Sequence, residues 1–431
     1  MKKVAAVTFG CKVNQYETSC ILDEFTGAGY QIVEFDQPAD VYVINSCTVT
    51  NRTDYKSRNA VRKALDHKAQ DGNVKIVVTG CYAQLNKEEI ALLGDVDVIV
   101  DNNNKGRILD IVEKADYHFE NVLDAQSFED ISTSQMQEKS RAFLKVQDGC
   151  DFYCAYCAIP FARGHSRSRT KASVLEQVEK LVASGYHEFV LGGINLGFYG
   201  RDLDGDYSLA DLMRDIAAID GVEIIRLSSI EPQLIDDKLL QVFAENPKIA
   251  SHFHVPLQSG CDELLKSMNR HYDTAEFAVQ IGKLKKVRPD VAIGIDLIVG
   301  LPGETEELFA KSENFLVDLD FTYLHVFSYS KRKGTKAAEM KGQVNGKVIT
   351  KRNNQLTRLS DAKKAKYTKQ ILDNNTVLGG IVETKQEGYY TSLSDHYVRI
   401  YFQSEKDLEK QYIKAVPLGI FRDGLKVTLI D

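Results

Sequence analysis

Three cysteines lie close together near the middle of the chain and could hold a metal. The segment reads Cys150-Asp-Phe-Tyr-Cys154-Ala-Tyr-Cys157. Thiolates packed this closely are soft ligands that suit zinc or an iron–sulfur cluster. A structural zinc site takes a fourth ligand, for which His165 is the nearest candidate. A four-iron cluster held by three cysteines would instead leave one iron open to a small chelating substrate.

Three further cysteines each follow a short apolar run in the first hundred residues. Cys11, Cys47 and Cys81 come two or three residues after runs that predict β-strands, and helical stretches separate these runs. This alternation indicates βα units and a parallel sheet. Because the carboxyl ends of parallel strands share one edge, we expect the three thiols to converge there. The alternative is small buried cysteines at strand ends, and Cys20, inside the first helical stretch, is interpreted as a core residue.

The remainder of the chain repeats βα units and then changes to an all-β pattern. Apolar runs that alternate with helical segments predict a complete or partial TIM-like barrel; they lie near residues 141–147, 188–191, 224–227, 253–257, 292–299 and 323–327. The alternating tail predicts a small β-barrel. The predicted fold class is therefore α/β, with four expected parts: an N-terminal domain at 1–115, a linker at 116–140, a barrel domain at 141–373 and a β domain at 374–431.

Composition and charge narrow the class of protein. The chain has 431 residues, of which 43% are hydrophobic and 27% charged, as in a soluble globular protein. It has no run of 18 apolar residues, and the apolar stretch before Gly10 is too short for a secretory core, so we expect a cytoplasmic protein with no membrane partner. Although the net charge is −7, residues 331–370 carry thirteen Lys and Arg against two acids. This excess predicts binding of an anion, nucleic acid first; the alternative is a solvated helix face.

The cysteine triplet, at the end of the first barrel strand, resembles the signature of the radical S-adenosylmethionine enzymes. The resemblance implies a [4Fe-4S] cluster on Cys150, Cys154 and Cys157, whose open iron binds the amino and carboxylate groups of S-adenosylmethionine (SAM). Asp296 stands where many members have glycine in the last of the family's motifs. Five positions resemble SAM-contacting positions of the family: Gly192, Gly193, Ser229, Glu231 and Ile298.

Five motifs narrow the resemblance to the methylthiotransferases. They lie at residues 9–18, 45–50, 79–84, 163–169 and 254–260. The resemblance implies an auxiliary [4Fe-4S] cluster on Cys11, Cys47 and Cys81. It also implies the order of a methylthiotransferase domain, a radical SAM domain and an RNA-binding TRAM β-barrel. Cys261 stands where the family usually has serine, and it is not counted as a ligand.

Within this family, the Gly-Cys-Lys-Val-Asn opening and residues 329–335 are similar to the MtaB-type branch, which acts on N6-threonylcarbamoyladenosine at tRNA position 37. In the implied reaction one SAM methylates a sulfur at the auxiliary cluster. A second SAM is cleaved to a 5′-deoxyadenosyl radical that activates C2 of the adenine, which then receives the methylthio group. Arg163, Arg167 and Arg169 are candidate contacts to phosphate or to the threonylcarbamoyl carboxylate. The implied partners are the tRNA anticodon stem-loop, a reduced flavodoxin- or ferredoxin-type electron donor and a sulfur source.

Other functions remain open at this point. An enzyme of the same family could act on isopentenyladenosine in tRNA or on an aspartate of a ribosomal protein. An iron–sulfur electron carrier with a nucleic-acid-binding tail would not cleave SAM. A zinc-binding tRNA protein would contain zinc and no iron.

Overall fold

The computed structural model describes residues 1–114, 116–133 and 140–430. Its N-terminal part is a five-stranded parallel sheet in the order β2-β1-β3-β4-β5. The central strand β3 is buried along its whole length, which explains its continuous apolar run. The elements are β1 (Lys3–Thr8), α1 (Lys12–Gly27), β2 (Gln31–Val33), β3 (Val41–Ser46), α2 (Asn51–Gln70), β4 (Lys75–Gly80), α3 (Cys81–Leu85), α4 (Lys87–Ala91), β5 (Val98–Ile99) and α5 (Ile108–Lys114).

The central part is an open barrel of parallel strands with helices outside. Two three-stranded sheets, in the orders β10-β9-β6 and β11-β12-β13, meet through a bridge between Ser229 and His254. The predicted partial TIM-like barrel is therefore confirmed. The elements are β6 (Ala142–Lys145), β7 (Gln147–Asp148), α6 (Ile159–Arg163), β8 (Arg167–Ser168), α7 (Lys171–Ala183), β9 (Glu188–Gly192), α8 (Leu209–Ala217), β10 (Ile224–Leu227), α9 (Asp237–Glu245), β11 (His252–His254), α10 (Asp262–Ser267), α11 (Thr274–Val287), β12 (Ala292–Val299), α12 (Glu306–Asp318), β13 (Tyr323–Ser328), α13 (Lys336–Glu339) and α14 (Gly346–Asp373).

The C-terminal part is a nearly closed five-stranded sheet in the order β14-β17-β18-β16-β15. Its two outer strands, β14 and β15, approach each other. The Glu383 amide, just after β14, donates to the carbonyl of Thr391 in β15 at 2.7 Å. A tyrosine from this part, Tyr397, stacks on His252 inside the barrel with ring centroids 3.9 Å apart. The strands are β14 (Leu378–Ile381), β15 (Tyr390–Leu393), β16 (Arg399–Phe402), β17 (Tyr412–Phe421) and β18 (Gly424–Ile430).

The segment between the first two parts packs closely on both. Val122 and Ile131 are buried, and the Tyr16 hydroxyl in α1 donates to the Ile131 carbonyl at 2.7 Å. Residues 134–139 of the predicted linker lie outside the described residues, and the domain boundaries stay a prediction. Within the described residues no helix is both long and apolar enough to span a membrane.

Candidate functional site

The first cysteine set lies at the carboxyl edge of the N-terminal sheet. Cys11 follows β1, Cys47 directly follows β3, and Cys81 is the first residue of α3 after β4. These three strands are neighbours in the sheet, so the thiols belong to adjacent loops as predicted. Cys47 and Cys81 are buried and Cys11 is exposed.

Two glycines allow the loops of this first set to approach one another. Gly10 has a φ of +91°, and a Cβ there would lie 2.3 Å from Cys47 Sγ. Gly80 has a φ of +94°, and a Cβ there would lie 2.2 Å from the Ser46 carbonyl oxygen. Both positions therefore need glycine for backbone conformation and for space. Asn14 closes the arrangement, because its side-chain amide donates to the carbonyls of Phe9 at 2.9 Å and Ser46 at 3.0 Å.

The second set, the triplet, lies in the loop after β7 at the barrel mouth. The Cys157 amide donates to the Cys154 carbonyl at 2.9 Å, which folds the loop into a tight turn. Arg270 donates from Nη1 to Cys154 Sγ at 3.1 Å. Asn195, just past β9, points Nδ2 at Cys150 Sγ at 3.6 Å. Two side chains from other loops of the barrel thus contact the triplet.

The donor chemistry of both sets fits a bound metal group. Burial, together with the neighbouring cysteines, raises the pKa of Cys47 and of Cys157 to about 12. These thiols therefore hold their protons until iron displaces them, so metal binding releases protons here. The pKa is raised because a bare thiolate is poorly solvated in these positions, and coordination removes that cost.

The spacing of the cysteines favours a cluster over a single zinc ion. Sulfurs bound to one zinc lie about 2.3 Å from it, so any two are within about 4.6 Å. Within the described residues, one group of three potential metal ligands has all its donor atoms within 4.8 Å of one another. That group is His254, Asp296 and His325, and it contains no cysteine. His165, the candidate fourth zinc ligand, is instead 2.7 Å from Asp151 Oδ1. The three sulfurs of each cysteine set are therefore not all within 4.8 Å of one another, which is wider than the spacing around one zinc ion.

The predicted SAM contacts lie around the barrel mouth. Gly192 ends β9, where a Cβ would lie 2.0 Å from the Phe143 ring, and a Cβ on Gly193 would lie 2.6 Å from Gln147 Oε1. Ser229 is exposed just past β10, and Glu231 is paired with Arg270. Ile298 is half-buried near the end of β12. The two glycines are already required by packing within the protein, and the roles of all five positions in SAM binding stay predictions.

The three arginines expected to contact substrate are buried. Arg163 has no exposed side-chain surface. Arg167 donates to the carbonyls of His165 and Arg163, and Arg169 pairs with Asp130 and donates to the Tyr16 hydroxyl. Each of the three arginines therefore has a partner within the protein: those of Arg163 and Arg169 are distant in sequence, whereas the carbonyls that Arg167 contacts are nearby. Their contact with substrate stays a prediction.

A hydrogen-bonded group inside the barrel was not recognised from the sequence. Asp296 Oδ1 lies 2.8 Å from His254 Nε2 and 3.4 Å from His325 Nδ1. Burial opposes ionisation, but the two imidazoles prevail and lower the pKa of Asp296 to about 2. The three strands β11, β12 and β13 are neighbours, so one inward residue of each meets the others. The parallel-barrel pattern could have suggested this contact, although the register could not be known.

A cavity of about 920 Å³ lies beside the first cysteine set. It is bounded by residues next to Cys47 and Cys81, by Phe161, and by the Lys331-Arg332-Lys333 loop after β13. Arg332 fixes this loop to the N-terminal part, because it donates to the Thr48 carbonyl at 3.1 Å and pairs with Asp54 at 2.7 Å. The predicted basic stretch is thus divided between this cavity and α14, where Arg352 forms a buried pair with Glu304 at 2.8 Å.

Comparison with known protein families gives two matches. Residues 3–101 match the Uncharacterized protein family UPF0004, and residues 144–316 match the Radical SAM superfamily. The structure is similar to that of the radical SAM methyltransferase TsrM from Kitasatospora setae. The TM-score is 0.58 and the identity 13%, over 78% of this chain and 77% of that one. The open parallel barrel with a cysteine triplet at its mouth therefore defines a radical SAM protein.

Comparison with curated proteins identifies the family. The chain is 41% identical to "Threonylcarbamoyladenosine tRNA methylthiotransferase MtaB" of Bacillus subtilis, over 96% of this chain and 93% of that one. It is 35% identical to "Ribosomal protein uS12 methylthiotransferase RimO" of Desulfitobacterium hafniense, over 83% and 82%. It is 32% identical to "tRNA-2-methylthio-N(6)-dimethylallyladenosine synthase" of Maricaulis maris, over 86% and 85%. The chain belongs to the radical SAM methylthiotransferase family.

Proposed function

We propose that the protein is a tRNA methylthiotransferase that adds a methylthio group to C2 of N6-threonylcarbamoyladenosine at position 37. The observation that carries the proposal is the pair of cysteine sets, each at the carboxyl edge of a parallel sheet. The 41% identity to the relative named for this substrate favours it over the isopentenyladenosine and ribosomal-protein alternatives, whose relatives share 32% and 35%.

In this proposal each cysteine set holds one [4Fe-4S] cluster. Cys150, Cys154 and Cys157 hold the cluster that binds SAM, with Gly192, Gly193, Ser229, Glu231 and Ile298 around the cofactor, and Cys11, Cys47 and Cys81 hold the auxiliary cluster. An aromatic C–H has no useful acidity, so positioned acids and bases cannot open it near neutral pH. The clusters and SAM, when bound, supply the one-electron cleavage and sulfur transfer that side chains cannot perform.

The protein's own residues position these groups. Arg270 and Asn195 donate toward Cys154 and Cys150, which orients the triplet beneath the strand ends. Glu231 pairs with Arg270 and so keeps that guanidinium in place. Asp296 is held as a carboxylate by His254 and His325, and it gives the barrel interior a fixed negative charge. Fixed charges and donors of this kind need no reorganisation when the reaction occurs.

The RNA would enter through the cavity beside the first cysteine set. Bases in a loop can be splayed out and received by a protein pocket. Lys331 and Lys333 at the cavity rim would contact phosphate, which positions RNA without reading its sequence. The C-terminal sheet would hold the stem as a TRAM-like domain. The reaction would take place in the cytoplasm, with a reduced flavodoxin- or ferredoxin-type protein as electron donor and a separate sulfur source.

Nucleoside mass spectrometry of tRNA from cells with and without the gene tests the proposal. Loss of 2-methylthio-N6-threonylcarbamoyladenosine with accumulation of its unthiolated precursor is the expected result. If this nucleoside is unchanged and the methylthio form of isopentenyladenosine disappears, the substrate assignment is wrong. If neither nucleoside changes, the methylthio group on the ribosomal-protein aspartate is the next measurement.

A further inference from the structure

A completely buried network of five charged side chains lies between the two cysteine sets. Glu17 and Lys105 come from the N-terminal part, whereas Lys145, Asp148 and Arg163 come from the barrel, and none exposes more than 3% of its side chain. Lys145 Nζ lies 2.9 Å from Glu17 Oε1 and 2.6 Å from Asp148 Oδ2. Arg163 Nη1 lies 2.5 Å from Glu17 Oε1 and 3.2 Å from Asp148 Oδ2. Lys105 pairs with the other oxygen of Glu17.

The network contains more basic than acidic side chains. Burial opposes ionisation of Glu17, but Arg163, Lys105 and Lys145 lower the pKa of its carboxyl well below the usual range. Lys105, Lys145 and Arg163 thus surround two acidic side chains, and burial lowers the pKa of Lys105. Glu129 is a further buried carboxyl, and burial raises its pKa to about 7. Buried donors need acceptors, so the Arg163 nitrogen that faces neither acid is expected to have another partner.

Cys81 is the partner of the remaining Arg163 nitrogen. Arg163 donates from Nε to Cys81 Sγ at 3.2 Å, while its two other nitrogens bond Glu17, Asp148 and the Asn14 side-chain oxygen. A cysteine that binds iron is a thiolate, and a charged donor forms a strong hydrogen bond to such a sulfur. Asp148 lies two residues before Cys150, so the same guanidinium also reaches the base of the triplet loop.

We infer that Arg163 is a positioning residue that orients the sulfur of Cys81 and raises the reduction potential of the auxiliary cluster. This inference rests on the proposed function, because it takes Cys81 as a cluster ligand. Hydrogen bonds to cluster sulfurs and nearby charge are among the factors that set a cluster's potential. A donor N–H and a positive charge beside the sulfur stabilise the more negative, reduced state. Arg163 thus acts on the cluster through Cys81.

The test uses the full chain with Cys150, Cys154 and Cys157 all changed to alanine, so that only the auxiliary cluster can form. In this background Arg163→Lys keeps the positive charge but lacks the Nε–H that reaches Cys81. The matched control is Arg352→Lys, which alters a buried arginine–glutamate pair in α14. Iron and sulfide content and a redox titration followed by electron paramagnetic resonance are measured for each protein.

We expect Arg163→Lys to shift the midpoint potential of the cluster to a more negative value, while Arg352→Lys leaves it at the parent value. Selective loss of the auxiliary cluster would also support the role, provided that Arg163→Lys still forms the other cluster when Cys11, Cys47 and Cys81 are alanine. If the midpoint potential of Arg163→Lys equals that of the parent, the inference is refuted and the proposed function is not affected. Loss of the cluster in both backgrounds also refutes it, because Arg163 would then only maintain the fold. A parent that forms no cluster refutes the proposed auxiliary site and the inference together.

Discussion

Replacing Gly10 with alanine should remove the auxiliary cluster and leave the SAM-binding cluster in place. The new Cβ would lie 2.3 Å from Cys47 Sγ and 2.6 Å from Cys47 Cβ. Ordinary contacts between such atoms are about 3.5–4.0 Å, so Cys47 or the loop of Cys11 must move by more than an ångström. Either movement separates two of the three ligands of the first cysteine set.

The size of the effect can be worked out with a second glycine as reference. Gly29 follows α1 with a φ of +83°, close to the +91° of Gly10, and a Cβ there would meet nothing within 4 Å. Alanine at either position costs about 1–2 kcal/mol for left-handed backbone. Only Gly10→Ala adds the overlap with Cys47, for which about 1–3 kcal/mol is typical of overpacking. That difference corresponds to roughly a 5- to 150-fold loss of affinity for the cluster.

The assay compares Gly10→Ala with Gly29→Ala after anaerobic reconstitution. Iron and sulfide content should fall by about one four-iron cluster in Gly10→Ala and stay at the wild-type value in Gly29→Ala. Production of 5′-deoxyadenosine from SAM should continue in both variants, whereas methylthiolation of tRNA should stop in Gly10→Ala. Equal iron content in the two variants would show that contact with Cys47 does not control cluster binding, and the reasoning would be wrong.

Three other substitutions give separate expectations. Cys261→Ser should leave iron content unchanged, because this thiol hydrogen-bonds Glu263 at 3.0 Å; a loss of iron would make Cys261 a ligand. Arg332→Ala removes the ion pair with Asp54 that holds the basic loop beside the cavity. Because a lost bond of this kind is worth about 1–3 kcal/mol, the KM for tRNA should rise about tenfold while SAM cleavage is unaffected. An unchanged KM would show that the loop does not help to bind tRNA. Burial lowers the pKa of His396, but Asp290 and Asp395 prevail and raise it to about 9 from 6.5. The ion pairs therefore stabilise fully below pH 6.5, and this stability disappears as pH rises through 9. Thermal unfolding against pH should show this loss, on the order of 3 kcal/mol, in the wild type and not in His396→Gln.

The sequence predicts the architecture well where burial is continuous. β3 is buried on both faces and β12 nearly so, and each appears as an apolar run that matches the strand within a few residues. β2 was not predicted, because its three residues lie at the sheet edge and its first two, Gln31 and Ile32, are exposed. A short edge strand carries little hydrophobic signal, since only one side of it is paired.

The candidate site was predictable for its cysteines and not for their partners. Cysteines after strands must share the sheet edge, so their grouping follows from connectivity alone. Arg163 lies in an arginine-rich segment, which favoured a surface role, but its partner Glu17 is 146 residues away. A pairing at that separation depends on how two domains pack, and no local pattern in the sequence predicts it. The same holds for Arg270, which contacts Cys154 across 116 residues.

The buried charges between the N-terminal sheet and the barrel also determine how these two parts can move. Opening this interface would separate Glu17 from Lys145 and Arg163, and an uncompensated buried charge costs several kcal/mol. Hinge motion at this boundary is therefore suppressed, and the two parts should unfold in a single cooperative transition. The same packing sets the separation of the two cysteine sets, because Arg163 contacts both Cys81 and Asp148 at the base of the triplet loop.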